Sequence, residues 1–589
     1  MKSKWLHVFC VCCALLVPAY AINREAFSFT NYNLEVRIEP EQQRLAVRGK
    51  ITLRNDVASP QKNICLQISS TLDWRSIRLD GKAVQFVSQP YTSDIDHTGA
   101  LSEALVTLPK EVPAKGAVEL EIGYEGTIPA DATRLTRIGV PAEAARHSDW
   151  DEIGKSFSAV RGIGYVVWYP VATESASLSE GNSVFETVAR WKARESGAQM
   201  RIKLSHSGEG APPILLCNGE AGGLRSVQQT GSAYESINQC AFEPLAETVP
   251  LFVMGNYDSI DRPSVNISYL PDHKPAAENY ATAAQLALGF VTEWFGAPRG
   301  RTEVKAELVD LNDPEAAPYE SGSMLLAPLT GDFKLAQLTA VHQLTHSVFF
   351  SPRPWIYEGL AHFAQAAYLE RENGRQAALD FMGLHRPVVA EAEKAATERR
   401  SQNGGPAANS QGASSISDSL VQTSQEEFYR SKAMYVWWML RDMVGERPLK
   451  KALSAYRPEA DTAPTYLPGL IAAQSSRDLQ WFFDDWVYRD RGLPDFIVGP
   501  VYSREMLRNN YVVTITVENR GDAGAEVPVI LKMEEGQVTR RLEVQARSKA
   551  VIRIEAASLP QEVVVNDGSV PESDISNNVY KIEPPAKNN

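Results

Sequence analysis

The sequence predicts a multidomain α+β protein that is β-rich at both ends and mostly helical in the middle. Apolar and polar residues alternate in Asn33–Ile38 and again in Tyr511–Val517, as they do in half-buried strands. Between these ends, residues 276–295 carry apolar side chains at helical spacing. A chain of 589 residues fits several domains, and 44% hydrophobic residues are enough to build their cores.

Residues 1–21 have the pattern of a secretory signal peptide. Two lysines precede an apolar run over residues 8–17, and Ala19 and Ala21 supply the small residues of a cleavage site. The run is too short to span a bilayer comfortably. We therefore expect an exported protein, periplasmic or extracellular, with no stable membrane span after signal cleavage.

Composition narrows the chemistry of the remaining chain. The net charge of −13 and the lack of a long basic run argue against a nucleic-acid partner. Beyond the signal segment only Cys65, Cys217 and Cys240 remain, and they lack the paired spacing of a metal cluster. In an oxidising compartment Cys217 and Cys240 are candidates for a disulfide across a hairpin, with Cys65 left buried and free.

Residues 22–262 are predicted to be β-rich. Residues 77–82 look like two strands joined by an Asp-Gly turn, and Val118–Tyr124 alternates in the same way. Short strands with frequent turn residues favour a sandwich or an open barrel. A carbohydrate-binding or adhesive module would have the same pattern.

The strongest chemical signal is a pair of histidines in the middle region. If residues 336–350 form a helix, His342 and His346 project from one face, and Glu358 from the next helix can be a third zinc ligand. In His-Glu-x-x-His zinc peptidases, the residue after the first histidine is a glutamate that takes a proton from the zinc-bound water. Here that residue is Gln343, whose amide cannot accept the proton. The pattern predicts one zinc site that lacks its usual base. Two ordinary helix histidines are the alternative.

These features resemble the membrane alanyl aminopeptidases, the gluzincin family that includes leukotriene-A4 hydrolase. Residues 161–170 resemble the family's aromatic-proline segment, and residues 250–257 resemble the strand that closes its first domain. The resemblance implies an N-terminal β-sandwich or saddle domain at 22–262 and a thermolysin-like, mostly helical zinc domain at 263–496. It also places a C-terminal immunoglobulin-like β-sandwich at 497–589.

The resemblance further implies roles for residues around the zinc. Residues 428–433 are similar to the family's Tyr-x-Lys-Gly segment, so Tyr429 is expected to hydrogen-bond the oxyanion of the reaction. Residues 322–326 take the place of a Gly-x-Met-Glu-Asn strand, but Leu325 replaces the glutamate that binds the substrate's amino terminus. Aminopeptidase specificity is therefore not expected. His362, four residues after Glu358, is interpreted as a packing residue.

Residues 395–427, rich in serine, glutamine and glycine, are predicted to be a flexible insertion. The sequence as a whole predicts a secreted zinc-binding protein of the metallopeptidase type with a peptide-binding cleft for a peptide or protein ligand. Its hydrolysis is expected to be weak or absent, and Gln343→Glu is expected to increase it. The alternatives are an active zinc metallopeptidase with another base, such as Glu320, and an interaction protein without metal.

Overall fold

The computed structural model describes residues 22–181, 183–219, 226–246, 248–296, 305–402, 419–423, 425–506 and 510–582. Within these ranges the chain combines helices with six β-sheets, so the predicted multidomain α+β class is confirmed at that level. The predicted signal segment lies outside the described residues. Among the described helices, none combines the length and the apolar character needed to cross a bilayer.

The N-terminal region of the described chain is built from strands and three short helices. Its strands are β1 (Phe27–Glu39), β2 (Arg44–Asn55), β3 (Gln61–Ser69), β4 (Leu72–Leu79), β5 (Lys82–Ala83), β6 (Gln85–Thr92), β7 (Ala100–Val112), β8 (Ala117–Thr127), β9 (Glu152–Ile153), β10 (Phe157–Val160), β11 (Gln199–Glu209), β12 (Ile214–Cys217), β13 (Ser226–Thr230), β14 (Ala233–Phe242) and β15 (Phe252–Gly255). Its helices are α1 (Thr133–Arg137), α2 (Ala142–Ser148) and α3 (Ser183–Glu195). The strands form sheets in the orders β13-β14-β11-β1-β2-β8-β4-β5, β3-β7-β6 and β12-β15-β10-β9.

Local sequence features explain the position of β1 and the turn between β4 and β5. Leu34, Val36 and Ile38 alternate with exposed polar residues along β1 and face the core. The predicted Asp-Gly turn joins β4 to β5, and both Asp80 and Gly81 have positive φ, as a tight hairpin turn requires.

The predicted disulfide between Cys217 and Cys240 is confirmed, and Cys65 is buried and not in a disulfide. Because Cys217 lies on β12 and Cys240 on β14, the bridge links two sheets rather than the two strands of one hairpin. The hairpin part of that prediction is wrong.

The middle region contains the long helices. Apart from two short 3-10 turns, its elements in chain order are β16 (Asp258–Asp261), β17 (Val265–Tyr269), α4 (Lys274–Phe295), β18 (Ala306–Asp310), β19 (Tyr319–Ser321), β20 (Met324–Ala327), α5 (Phe333–Val348), α6 (Pro354–Asn373), α7 (Arg375–Gln402), a π-helical turn (Glu427–Lys432), α8 (Ala433–Val444), α9 (Glu446–Ala455), α10 (Tyr466–Ala472), α11 (Gln480–Phe483) and a second π-helical turn (Asp484–Tyr488). The helices predicted at 276–295 and 336–350 are confirmed as α4 and α5. Because α7 runs to Gln402, the start of the predicted insertion 395–427 is helical, and residues 403–418 lie outside the described residues.

A five-stranded sheet, ordered β16-β17-β18-β20-β19, supports these helices. Strands β17, β18 and β20 are parallel, while β19 is an antiparallel edge strand. Side chains alternate between the two faces of this sheet. Leu308 and Leu325 belong to the core formed with the helices, whereas Val309 and Met324 belong to a core shared with the N-terminal region.

The C-terminal region of the described chain forms two small sheets. Its strands are β21 (Phe496–Glu505), β22 (Tyr511–Asn519), β23 (Ala525–Met533), β24 (Gln537–Val544), β25 (Ser548–Ala556), β26 (Pro560–Val565) and β27 (Val579–Lys581). The sheets have the orders β21-β22-β25 and β24-β23-β26-β27, and their buried residues share one core with the helices of the middle region.

Helices α6 and α8 approach closely at Gly359, and this contact generates a stability prediction. A Cβ at Gly359 would lie 2.6 Å from Ala433 Cβ and 3.1 Å from Trp437 Cδ1. We expect Gly359→Ala to lower the free energy of unfolding by about 1–3 kcal/mol because the packed helices must separate. The measurement is urea denaturation followed by circular dichroism.

The matched control is Gly289→Ala, which also lies within a helix but in open space. This change should raise the free energy of unfolding by about 0.5–1 kcal/mol. Equal effects of the two changes would contradict the prediction.

Candidate metal centre

Helix α5 presents both predicted histidines on one face. The Asp332 side chain caps its start by accepting hydrogen bonds from the backbone N–H groups of Lys334 and Leu335. His342 and His346 are one helical turn apart, and their ring centroids lie 4.6 Å from each other. The predicted pairing of these two imidazoles is therefore present.

The turn after α5 brings Glu358 to the histidines. Ser351 Oγ accepts a hydrogen bond from the backbone N–H of Arg353 and is also bonded to Tyr456, which anchors this turn to the helical core. Helix α6 then starts at Pro354 and places Glu358 Oε1 4.0 Å from His346 Nε2. The neighbouring Tyr357 ring stacks on His346 with a centroid distance of 4.0 Å.

A second carboxylate, Glu320, lies between the two imidazoles. Glu320 Oε2 is 3.2 Å from His342 Nε2, and Glu320 Oε1 is 3.0 Å from His346 Nδ1. Glu320 lies on β19 directly opposite Leu325 on β20, so the two side chains share the sheet face that α5 covers. Leu325 is buried, and the carboxylate on this face comes from the neighbouring strand instead.

The described residues thus contain a cluster that is able to hold a metal ion. The ligand atoms of Glu320, His342 and His346 all lie within 4.8 Å of one another. Glu358 adjoins this cluster on the Nε2 side of His346. That nitrogen has no hydrogen-bond partner among the described residues, whereas Glu320 contacts the other ring nitrogen, Nδ1.

The carboxylates and imidazoles of the centre shift the pKa values of one another. Burial disfavours ionisation of Glu320, but the imidazoles of His346 and His342 outweigh it and hold the pKa of this carboxyl well below its usual value. Burial also opposes the charge on Glu358, while Arg430 and the same imidazoles lower the pKa of that carboxyl. Burial lowers the pKa of His346, yet the two carboxylates raise it above its usual value. Both partly buried carboxylates are therefore anionic and are balanced by these imidazoles and by Arg430.

The π-helical turn 427–432 carries the residues that face Glu358. Arg430 Nε donates to Glu358 Oε2 at 3.0 Å, and its guanidinium also pairs with Glu426 one turn earlier. Tyr429, the predicted oxyanion donor, is half-buried against the helical core. Its role as a donor stays a prediction. Lys432 is fully buried and pairs with Glu393 on α7 and with Asp490, so it joins the turn to α7 and to the segment around residue 490.

Gln343 has its side chain anchored to the neighbouring helix and sheet. Tyr280 Oη on α4 donates to Gln343 Oε1 at 2.7 Å, and Gln343 Nε2 donates to the backbone oxygen of Glu307 on β18 at 2.8 Å. Both ends of the amide are therefore occupied in binding α5 to α4 and to the sheet. A carboxylate at this position cannot donate to the Glu307 carbonyl, so Gln343→Glu would lose that contact. The expected gain of activity in Gln343→Glu stays a prediction.

Two further histidines extend the centre. His362 is 4.9 Å from His342 between ring centroids, and His385 is 5.4 Å beyond His362. Burial and then the nearby His342 hold the pKa of His362 well below its usual value, so this ring is neutral. Its packing against His342 agrees with the interpretation of His362 as a packing residue rather than a ligand.

In comparisons with known proteins, no family model and no curated protein matches the chain. Similarity to the alanyl aminopeptidases therefore stays a prediction based on motifs. The geometry of the centre does not depend on that resemblance, because it is given by the positions of the side chains.

The anchoring of Gln343 generates a stability prediction. We expect Gln343→Glu to lower the free energy of unfolding by about 1–3 kcal/mol, because the new carboxylate faces the Glu307 carbonyl without a donor. Burial would raise the pKa of this carboxyl in the folded state. The folded variant would therefore keep the proton at about pH 5 and be more stable there than at about pH 8, where the carboxyl is ionised. Urea denaturation at both pH values measures the difference.

The matched control for this experiment is Gln337→Glu on the same helix. Gln337 Nε2 donates to the hydroxyl of Tyr368 at 2.8 Å, and that hydroxyl can reverse its role and donate to a carboxylate. Its loss of stability should be smaller and nearly independent of pH. A Gln343→Glu variant as stable as Gln337→Glu at both pH values would rule out the anchoring role.

Proposed function

We propose that this chain is an exported zinc-binding protein of the metallopeptidase type, with a peptide or protein ligand and weak or absent hydrolysis. The observation that carries the proposal is the cluster of His342, His346 and Glu320, with Glu358 beside His346, while the side chain of Gln343 is engaged elsewhere. Imidazole and carboxylate donors together suit zinc.

Zinc bound here would polarise a carbonyl group and acidify water. The chain's own residues supply the remaining parts. Tyr429 lies in the turn beside Arg430, where a phenol can donate to a developing negative charge. The side chains of His342, Glu320 and Glu358 keep 15–16% exposure, so a ligand can approach the centre from solvent.

Export is supported by two features. The N-terminal sequence has the pattern of a signal peptide, and the Cys217–Cys240 disulfide suits an oxidising compartment.

An active metallopeptidase that uses Glu320 as its base is the second candidate. Its support is the position of the Glu320 carboxylate, 3.2 Å from His342 and 3.0 Å from His346. In that case Glu320 would accept the proton that Gln343 cannot.

Metal analysis tests the zinc site. The purified full chain is expected to hold about one zinc ion, and His342→Ala or His346→Ala should reduce this strongly because each removes a ligand. Plasma mass spectrometry gives the stoichiometry. The control is His147→Ala, because His147 pairs with Asp313 and Glu315 outside the centre and its loss should leave zinc content unchanged. Zinc content that is the same in all four proteins would refute the site.

A peptide-library cleavage assay tests the expected lack of hydrolysis. Loss of a proton acceptor typically lowers a rate by about 10²–10⁴-fold, so the zinc-loaded wild type should be nearly inert. Any residual cleavage should not require a free amino terminus, because Leu325 cannot bind one. Strong cleavage that disappears in both His346→Ala and Glu320→Gln would instead favour Glu320 as the base.

A further inference from the structure

The edge strand β19 carries Glu320 between two neighbours that face the opposite way. Tyr319, Glu320 and Ser321 are the three residues of this strand, and successive side chains of a strand point to opposite faces of its sheet. Glu320 faces helix α5, where its oxygens lie 3.2 Å from His342 Nε2 and 3.0 Å from His346 Nδ1. Tyr319 and Ser321 therefore face the N-terminal region. The contacts that hold these two residues also set the position of the Glu320 carboxylate.

The N-terminal region holds Tyr319 through a stack of side chains. The Tyr165 ring meets the Tyr319 ring edge-on, with 5.2 Å between the ring centroids. The Arg161 guanidinium lies 3.4 Å from the centroid of the Tyr165 ring and 3.8 Å from that of the Trp150 ring. Arg161 is fully buried and forms an ion pair with Asp151. The ring that contacts Tyr319 is therefore fixed by a buried ion pair.

The N-terminal region holds Ser321 through hydrogen bonds. The Ser321 hydroxyl donates to the backbone oxygen of Val249 at 2.9 Å and accepts from the backbone N–H of the same residue at 2.9 Å. Asn218 Nδ2 donates to the backbone oxygen of Ser321 at 3.2 Å and to that of Val249 at 2.9 Å. Because Ser321 and Asn218 are both buried, loss of one partner leaves the other unsatisfied. Both neighbours of Glu320 are thus attached to the N-terminal region.

A metal site requires this attachment because its ligand atoms must keep closely defined positions. The ligand atoms of Glu320, His342 and His346 lie within 4.8 Å of one another. The two histidines share helix α5, which fixes their relative position, whereas Glu320 comes from a three-residue strand at the edge of its sheet. A ligand that is displaced by about 1 Å no longer fits zinc bonds of about 2.0–2.2 Å. The contacts from the N-terminal region supply the constraint that a short edge strand lacks.

We infer that the N-terminal region is part of the metal centre, in which Tyr165 and Asn218 are positioning residues that hold the Glu320 carboxylate at the two imidazoles by fixing its neighbours on β19. Both residues act through the strand and not by contacting a metal ion. The inference rests on the proposed zinc binding. It differs from an independent carbohydrate-binding or adhesive module, because such a module would need no contacts beside a metal ligand.

A double-mutant cycle on the zinc affinity of the full chain tests the inference. Tyr165→Leu removes the ring that contacts Tyr319 and should weaken zinc binding about 10- to 100-fold, measured by competition with a chelating dye. Glu320→Ala should also weaken zinc binding, because it removes a ligand. Since Tyr165 acts through Glu320, the double variant should bind zinc no more weakly than Glu320→Ala alone. Tyr165→Phe keeps the ring and should bind zinc like the wild type.

The matched control is Tyr234→Leu, which also removes a ring contact in the N-terminal region. The Tyr234 ring packs edge-on against His206 in the large N-terminal sheet, so its loss should leave zinc affinity unchanged. If Tyr165→Leu does not fold, Ser321→Ala takes its place in the same cycle, because it removes only the hydroxyl that bonds Val249.

The outcomes separate this inference from the proposed function. Zinc binding that is equally tight in the wild type and in Tyr165→Leu would overturn the positioning role and leave the proposed zinc site intact. The same conclusion would follow if Tyr165→Leu weakened zinc binding by the same factor with and without Glu320, since a general loosening of the fold does not act through that carboxylate. Failure of the wild type to bind zinc would overturn both proposals.

Discussion

The position of the partly buried Glu320 carboxylate between two imidazoles is the constraint on which the rest of the centre depends. A buried carboxylate is costly unless positive or hydrogen-bonding groups surround it. His342 and His346 provide those groups only if the edge strand β19 lies against α5. The position of β19, the spacing of the histidines and the direction of α5 are therefore linked by one set of contacts. Glu358 faces the same requirement on the other side of His346 and meets it with Arg430.

The contacts of Gln343 explain how α5 keeps the orientation that this arrangement needs. Its amide donates to the sheet and accepts from α4, and these two bonds fix the rotation of α5 about its own axis. A catalytic base at the same position would have to point toward water instead. The side chain at position 343 cannot do both, because one end of the Gln343 amide is bonded to α4 and the other to the sheet. Gln343 is thus part of the packing of the helix.

The sequence predicted those features that depend on local spacing. Helices α4 and α5, the adjacency of His342 and His346, and the approach of Glu358 follow from helical periodicity and a short turn with prolines. The sequence suggests Glu320 only as a substitute base, because its position depends on pairing between β19 and β20 and on the docking of that hairpin against α5. The anchoring of Gln343 depends on Tyr280, 63 residues earlier in the chain. Such contacts between distant residues leave no periodic signal in a sequence.

The charge of the ligand set connects the missing base to the extra carboxylate. Zinc with two neutral imidazoles and one carboxylate carries a net charge of about +1, and this positive charge strengthens its pull on the electrons of water. A second carboxylate makes the set neutral and weakens that pull. A second carboxylate ligand and the lack of a base at Gln343 would therefore act in the same direction, because each would reduce the capacity of a bound metal to generate a nucleophile. The contacts of Glu320 and Gln343 meanwhile hold α5 against the sheet.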